Sequence, residues 1–360
     1  MPARLFTGKG CVLSHASDIA YFGDRCLIVT GRSAAKKSGA LDDVIKALEK
    51  TCVSYEIFDG IGSNPAIEKC MEAAEKARAF NAQFIIGIGG GSPLDAAKAT
   101  AVFAANEGLD EKIFYSKNWP DIPLPVVLVG TTAGTGSEVT KVSVLTDSLK
   151  KKHSIHDDAI FASLSLGDPS YTMTLPLKVT LSTGIDILAH CAESYFNKNA
   201  NDISRATAIS GIKLLYEPLM KAQSGKELLF DDREALYNAS ILGGLSINIT
   251  GTCFPHNMGY YLTETLGVPH GFASAAFFPQ LLEHVKIQLP DVFNKFISSI
   301  NLSEKQLLAL CEKCLEGIEI KLDNVELEKA LPRWANNNSV NNTLGEVTLE
   351  DVKKWFEKYL

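Results

Sequence analysis

The segment between residues 84 and 98 constrains the fold of this chain more than any other part of the sequence. An apolar run leads into glycines 89 to 91, and a helical pattern follows directly. We expect a buried strand that ends in a tight turn, with Ser92 as the helix N-cap, Pro93 as the first helical residue and Asp95 as a capping-box acid. Glycine lets the backbone approach a ligand, and the free N–H groups of a helix N-terminus suit a phosphate. The segment therefore predicts a strand, a phosphate-binding turn and a helix in succession.

Apolar runs and helical patterns alternate through the first half of the chain. Because the runs lack the alternating polarity of half-exposed strands, they indicate a parallel sheet covered on both faces. The predicted strands are 26–30, 52–58, 84–88 and 125–130, and the predicted helices lie near 40–50, over 65–80 and from Pro93.

Long helical patterns replace this alternation from about residue 176 onward. Helices are predicted over 183–197, 206–222, 232–245, 304–315 and 349–360, with a polar loop over 336–342. We therefore expect an α/β Rossmann-like N-terminal domain over residues 1–176 and an all-α C-terminal domain over residues 177–360.

Charge and hydropathy exclude two classes of partner. The formal net charge is −7 and the only basic run is Lys150–Lys152, whereas a nucleic-acid-binding protein carries a basic face. No apolar run approaches the ~20 residues of a membrane helix. The first residues lack the apolar stretch of a signal peptide, and the eight cysteines are scattered, as reduced thiols are. We expect a cytoplasmic protein that binds neither nucleic acid nor membrane.

A second glycine-rich turn, over residues 130–140, follows the strand at 125–130. The hydroxyls of Thr131, Thr132 and Thr135 are possible donors to a ribose, a phosphate or a carboxamide, although they also suit a turn that satisfies its own hydrogen bonds. Two such turns at the ends of neighbouring parallel strands lie where nucleotides bind in this architecture.

The residues after the first strand bear on which dinucleotide is bound. Dinucleotide folds often place an acid here against a ribose hydroxyl, and an additional phosphate requires cations instead. The strand runs into Gly31, Arg32 and Ser33, with Lys36 and Lys37 just beyond and no acid. This pattern favours NADP over NAD; the alternative is that these cations simply face solvent.

One carboxylate and one imidazole share the face of a predicted helix. Asp186 and His190 are four residues apart, which brings them together on one side. In an apolar helix such a pair is costly unless its members are paired or bind something.

Two further histidines, His256 and His270, stand in segments rich in proline and glycine. Their fourteen-residue separation spans ~21 Å on a straight helix, too far for a shared metal ion. Gly267 and Pro269 permit a turn that would bring them together. A carboxylate with three imidazoles suits Fe²⁺ or Zn²⁺, whereas each histidine taken alone could be a hydrogen-bonded core residue.

Four segments in this order resemble the iron-containing (group III) alcohol dehydrogenase family: 89–98, 131–140, 184–193 and 256–271. The resemblance implies a dehydroquinate synthase-like fold, a homodimer, NADP or NAD as cofactor and a metal ion held by Asp186, His190, His256 and His270. The candidate cofactor contacts are Gly31, Arg32, Ser33, Asn64, Gly89, Gly90, Gly91, Ser92, Asp95, Thr131, Thr132, Thr135 and Lys152.

Two departures from the family pattern stand out. Many members carry an acid at the position of Gly31, which agrees with the NADP expectation. Many also carry a histidine, often credited with relaying a proton, where this chain has Tyr260. The proton route thus stays open among Tyr260, water and the cofactor ribose.

The expected activity is hydride transfer between a nicotinamide dinucleotide and a small alcohol, diol or aldehyde. The alternatives are a glycerol or polyol dehydrogenase or a dehydroquinate synthase-type lyase of the same fold, and a catalytically silent nucleotide-binding or assembly protein.

Overall fold

The apolar runs of the first half become strands in the computed structural model, which describes residues 3–360. The strands within that part are β1 (Arg4–Thr7), β2 (Arg25–Thr30), β3 (Ser54–Phe58), β4 (Phe84–Gly89), β5 (Val126–Gly130), β6 (Val142–Thr146), β7 (Lys152–His156) and β8 (Leu164–Gly167). Six of them form a parallel sheet in the order β1-β8-β5-β4-β2-β3, while β6 and β7 pair as an antiparallel hairpin. Because β3 and β4 lie on opposite sides of β2, the direction of winding reverses between β2 and β4, and ligands bind at such a point in open α/β sheets.

Helices cover both faces of the sheet. They are α1 (Cys11–Ser14), α2 (Ala16–Ala20), α3 (Ala34–Lys37), α4 (Ala40–Lys50), α5 (Ile67–Ala79), α6 (Gly91–Ala105) and α7 (Glu111–Ser116). Successive side chains of a strand point to opposite faces. Accordingly Leu27 and Ile85 belong to the core that contains α5 and α6, whereas Ile28 and Ile86 belong to the core that contains α1 and α4. The predicted α/β layer is confirmed.

The rest of the chain is helical. Its helices are α8 (Leu177–Tyr195), α9 (Asp202–Gln223), α10 (Phe230–Thr250), α11 (Phe254–Leu266), α12 (His270–Ala275), α13 (Phe278–Gln288), α14 (Pro290–Ile300), α15 (Glu304–Cys314), α16 (Asn324–Ala330), α17 (Asn338–Asn341) and α18 (Leu349–Glu357). Short 3₁₀ turns occur at Ser137–Val139, Asp158–Ile160, Pro169–Thr172 and Leu331–Trp334. Helix α8 is buried continuously from Gly184 to its end and packs against α9 and α12. The all-α prediction for this half is confirmed.

One predicted loop is partly wrong. Within 336–342 the chain forms α17, because the side chain of Asn337 accepts hydrogen bonds from the N–H groups of Ser339 and Val340 and so caps the helix. A run of asparagines supplied a cap where their composition predicted only a turn.

The described residues divide into two compact units. The first runs to Pro176 and includes Leu228–Tyr237, and the second comprises Leu177–Glu227 and Asn238–Leu360. All eight cysteines are free thiols. Among residues 3–360, no helix combines the length and the apolar character that a membrane span requires.

Candidate metal centre and cofactor-binding turns

Three helices of the second unit bring the four candidate metal ligands together. Asp186 and His190 lie one turn apart on α8, His256 lies in the first turn of α11, and His270 begins α12. From Asp186, Oδ2 lies 4.0 Å from Nε2 of His190, and Oδ1 lies 3.4 Å from Nε2 of His256 and 3.9 Å from Nε2 of His270. One ligand atom each from Asp186, His190 and His256 can be chosen so that all three lie within 4.8 Å of one another. A single ion with ligand distances of ~2.1 Å can bridge atoms so placed.

The turn between α11 and α12 makes this convergence possible. Gly267 adopts a left-handed conformation (φ 68°) and ends α11, and Pro269 is the N-cap of α12. Gly271 then lies against α8, where a Cβ would collide with the carbonyl oxygen of Ser182 and lie 3.0 Å from Cβ of Asp186. Only glycine lets α12 approach α8 so closely, and this approach brings His270 to Asp186.

The polar atoms of the cluster fit a divalent cation. Asp186 and His256 are each 2% exposed. Oδ1 of Asp186 and Nε2 of His256 have no hydrogen-bond partner within the described residues. Burying such polar atoms without a hydrogen-bond partner is costly, and an ion placed between them would remove that cost. The donors, a carboxylate oxygen and imidazole nitrogens, are those of Fe²⁺ and Zn²⁺ sites.

The ionisable groups of the cluster shift one another's pKa. Burial alone would raise the pKa of Asp186, but His190, His270 and His256 hold it well below its usual range. Burial lowers the pKa of His256, yet Glu193 and Asp186 outweigh it and raise that pKa to about 10.

Glu193 supports His256 from the side away from Asp186. Its Oε1 lies 2.5 Å from Nδ1 of His256, and its Oε2 accepts a 2.7 Å hydrogen bond from the N–H of Cys253. Burial raises the pKa of Glu193, against the opposing effect of His256. A carboxylate that accepts a hydrogen bond from Nδ1–H leaves Nε2 as the ligand atom and fixes the orientation of the ring. The residue belongs to a segment noted in the sequence, but its role as the partner of His256 was not predicted.

Tyr260 also contacts the cluster. It lies one turn after His256 on α11, and its ring stacks on that of His270 with centroids 5.3 Å apart and planes 21° apart. His270 is the most exposed of the four candidate ligands, with 27% of its side chain accessible. Tyr260 therefore covers one face of the ligand that packing restrains least.

The two glycine-rich turns lie side by side in the first unit. Gly89 at the end of β4 pairs with Gly130 at the end of β5, and the N–H of Thr131 donates a 2.8 Å hydrogen bond to the carbonyl of Gly89. A Cβ on Gly90 would lie 3.0 Å from the side chain of Thr132, and one on Gly91 would lie 2.8 Å from Thr135. A side chain at Gly91 would therefore force Thr135 to shift, and one at Gly90 would crowd Thr132.

One unsatisfied hydroxyl lies in the second turn. The side chain of Thr131 is buried, and its Oγ1 has no hydrogen-bond partner among residues 3–360. The neighbouring helix α6 presents its N-terminal N–H groups, which attract anions. Both features fit a dinucleotide at this edge of the sheet.

The predicted capping of α6 is wrong. The helix begins at Gly91 with Gly90 as N-cap, two residues before the position expected from Ser92 and Pro93. Gly90 takes the extended conformation of an N-cap, so Ser92 falls inside the first turn, where its Oγ accepts a 3.3 Å hydrogen bond from the N–H of Asn64. Asp95 does not cap the helix.

Asp95 instead joins α6 to the second turn and the hairpin. Its Oδ1 accepts a 2.6 Å hydrogen bond from the hydroxyl of Ser137, and its Oδ2 accepts one of 3.0 Å from the N–H of Val144. Burial raises the pKa of Asp95, whereas the charges of Lys98 and Lys152 lower it. Lys152, at the start of β7, thus lies close enough to Asp95 to affect its pKa.

The remaining candidate contacts lie at the same edge of the sheet. Gly31 follows β2, and a Cβ at this residue would lie 3.1 Å from the carbonyl oxygen of Ile61. Arg32 and Ser33 are exposed, as are the two lysines of α3. Because β2, β4 and β5 are parallel neighbours in the sheet, the turns that follow them lie along one edge.

Comparison with known proteins identifies related sequences and structures. The family model described as iron-containing alcohol dehydrogenase matches residues 2–169, and the model for the C-terminal part of that family matches residues 180–332. The 1,3-propanediol dehydrogenase of Citrobacter freundii is 33% identical over 287 residues, which cover 76% of this chain and 73% of that protein.

Two solved structures show the same fold. The iron-containing alcohol dehydrogenase of Thermotoga maritima superposes with a TM-score of 0.93 at 35% identity, covering 100% of this chain and 98% of that one. The sulfoacetaldehyde reductase of Bifidobacterium kashiwanohense, solved in complex with NAD⁺, has a TM-score of 0.88 at 25% identity and covers 99% and 97% of the two chains. These matches do not favour the polyol dehydrogenase or lyase alternatives.

Proposed function

This chain belongs to the iron-containing alcohol dehydrogenase family and is an alcohol dehydrogenase or aldehyde reductase, and on that premise we propose the residues, the metal ion and the dinucleotide that it uses. The proposal is hydride transfer between NADP and a small alcohol, diol or aldehyde, with an Fe²⁺ or Zn²⁺ ion as the Lewis acid. Asp186, His190, His256 and His270 would hold the ion.

The observation that carries the metal assignment is the meeting of three buried side chains, Asp186, His190 and His256, with the partly exposed His270 3.9 Å from Asp186. An ion bound there would supply Lewis-acid polarisation of the substrate oxygen. The chain's own residues hold and orient: Glu193 fixes the ring of His256, and Tyr260 covers one face of His270. Because its ring stacks on that of His270, Tyr260 stays a candidate for moving the substrate proton.

Replacement of one ligand tests the assignment. His270→Ala changes the most exposed of the four, so it disturbs packing least. We expect the variant to lose bound metal and nearly all turnover, while His153→Ala, a change at an exposed histidine on β7, keeps both. Metal content by mass spectrometry and activity after reloading with Fe²⁺ or Zn²⁺ measure these outcomes. Full turnover of His270→Ala without metal would refute the assignment.

The NADP preference rests on the residues after β2. Arg32, Lys36 and Lys37 are exposed cations at the edge of the sheet where a ribose phosphate would lie, and Gly31 leaves no carboxylate to repel it. We expect a lower KM for NADPH than for NADH. Gly31→Asp should reverse this order by at least about tenfold, because like charges placed together cost several kcal/mol. Gly31→Ala, which crowds the carbonyl of Ile61 without adding charge, is the control.

The identity of the substrate is approached with a panel of short aldehydes and diols. Net consumption of NADPH separates a reductase from a lyase, which regenerates its dinucleotide, and from a silent binding protein, which consumes none.

We further propose a homodimer, from the family resemblance, and a cytoplasmic location, from the eight free thiols. Sedimentation velocity tests the first and cell fractionation the second.

A further inference from the structure

Lys98 is a fully buried lysine that the proposed chemistry does not use. It lies on α6, two turns beyond the glycine-rich turn, and its exposed fraction is 0%. Lysine is almost never fully buried unless its charge is partnered. The partners of Lys98 are therefore informative.

The ammonium of Lys98 is surrounded by oxygens of one short segment, residues 137–142. Nζ donates hydrogen bonds to the carbonyl oxygens of Ser137 (2.8 Å), Thr140 (3.0 Å) and Val142 (2.7 Å). The hydroxyl oxygens of Ser137 and Thr140 lie 2.9 and 3.4 Å away. Five oxygens thus share the three protons of one ammonium group.

This arrangement makes the shape of the segment depend on one charge. Three backbone carbonyls from six residues point at the same place. Without Lys98, the carbonyls of Thr140 and Val142 would lose this partner, and that of Ser137 would keep only its 3.4 Å hydrogen bond from the N–H of Thr140. Asp95 and Glu138 are the acids that face the ammonium, with Oδ1 of Asp95 3.9 Å from Nζ. Asp95 also accepts a hydrogen bond from the hydroxyl of Ser137, so Asp95 and Lys98, both on α6, bind the same residue of the segment.

The segment continues the second cofactor turn, and Thr135 is the junction. Oγ1 of Thr135 accepts a 3.3 Å hydrogen bond from the N–H of Ser137, while its side chain packs where a Cβ of Gly91 would be. A displacement of Ser137 would therefore reach the contact between the two turns.

We propose that Lys98 is a positioning residue for the dinucleotide: its buried ammonium holds residues 137–142 and thereby fixes the Thr131–Thr135 turn against the glycine-rich turn at the start of the same helix. The residue has no accessible surface, so it acts through the turn and not by contact with the ligand. This inference rests on the proposed function, because it assumes that the two turns bind the dinucleotide.

Lys98→Met tests the proposal with an apolar side chain of similar length. We expect the Kd for NADPH, titrated by its fluorescence, to rise at least about tenfold, since hydrogen bonds to a charged group are the strong ones. The KM for NADPH should rise with it, whereas kcat at saturating NADPH and the metal content should stay within about threefold of the wild type. Lys69→Met, at an exposed lysine of α5, is the matched control and should change neither constant.

Ser137→Ala decides the matter if Lys98→Met does not fold. It removes one acceptor of the ammonium and the bond to Asp95 but keeps the charge, so the Kd should rise about three- to tenfold. An unchanged Kd in a folded Lys98→Met, or in Ser137→Ala when the first variant does not fold, overturns the inference. If the wild-type protein binds no dinucleotide, the proposed function itself fails, and that outcome is recognised before any variant is made.

Discussion

Glu193 holds His256 in the orientation that the candidate metal centre needs. Both oxygens of its buried carboxylate are used, one by the Nδ1 atom of His256 and one by the N–H of Cys253. The carboxylate thereby ties the first turn of α11 to α8, the helix that carries Asp186 and His190. Glu193 would thus act on a bound ion through the ring of His256, which it orients.

Glu193→Gln should weaken metal binding without removing a ligand. The amide keeps the volume and one acceptor but withdraws the negative charge that favours His256 with Nε2 directed at the cluster. Changes of this kind typically lower metal affinity about 10- to 100-fold. Competition of the protein with a chelator of known affinity measures the effect, and Glu283→Gln, at an exposed position of α13, is the control. Equal affinities in wild type and Glu193→Gln would show that His256 needs no such support.

At the residue scale, the role of a residue could be predicted where its sequence pattern is rare and its partners lie within a few residues. Histidine occurs seven times, and a helical spacing of four makes Asp186 and His190 neighbours whatever the rest of the fold. The role of Lys98 could not be predicted, because its partners lie about 40 residues away and are mostly backbone carbonyls. The capping of α6 was predicted wrongly because Gly90 and Ser92 both suit an N-cap.

At the scale of elements, the close packing of α12 on α8 places the fourth candidate ligand. Gly271 is the point of closest approach, next to the residue whose imidazole joins the cluster. The backbone of α12 there touches the carbonyl of Ser182, one turn before Asp186. The position of His270 is thus set by the distance between two helices.

Gly271→Ala should push α12 away from α8. A methyl group in this contact forces the backbone to shift, and overpacking of this kind typically costs about 1–3 kcal/mol. We expect a lower unfolding midpoint in urea together with weaker metal binding, because His270 moves with its helix. Gly62→Ala, where an added Cβ meets nothing within 4 Å, should change neither. A destabilised variant that binds metal normally would separate the packing from the site.

The elements found from the sequence share one property. The buried strands β2, β4 and β5 are continuous apolar runs, and the helices α4 and α18 have strong apolar periodicity, so each pattern was visible locally. The hairpin strands β6 and β7 are half exposed and carry polar residues, and β8 has only four residues. Such strands are defined by their partners in the sheet, which a local pattern does not contain.

At the scale of the whole molecule, the layered class follows from the change of periodicity along the chain. Uninterrupted apolar strands separated by helices leave few arrangements other than a parallel sheet with two covered faces. The order of the strands carries more information than the class, because it places the turns after β2, β4 and β5 on one edge. That order was not predicted from any single motif, since it depends on which side of β2 the chain returns.

Metal binding should also appear in the stability of the folded chain. The four candidate ligands come from α8, α11 and α12, so an ion that joins them binds the folded state and not the separated helices of the unfolded one. At a free ion concentration 100 times its Kd the folded state gains about 2.7 kcal/mol. For a unit of this size that gain corresponds to a rise in Tm of roughly 5–10 °C.

Differential scanning fluorimetry with Zn²⁺, or anaerobically with Fe²⁺, measures the shift, and a chelator should reverse it. His270→Ala should melt near the metal-free wild type and show little of the rise. An equal rise in both proteins would mean that the ion binds elsewhere on the chain.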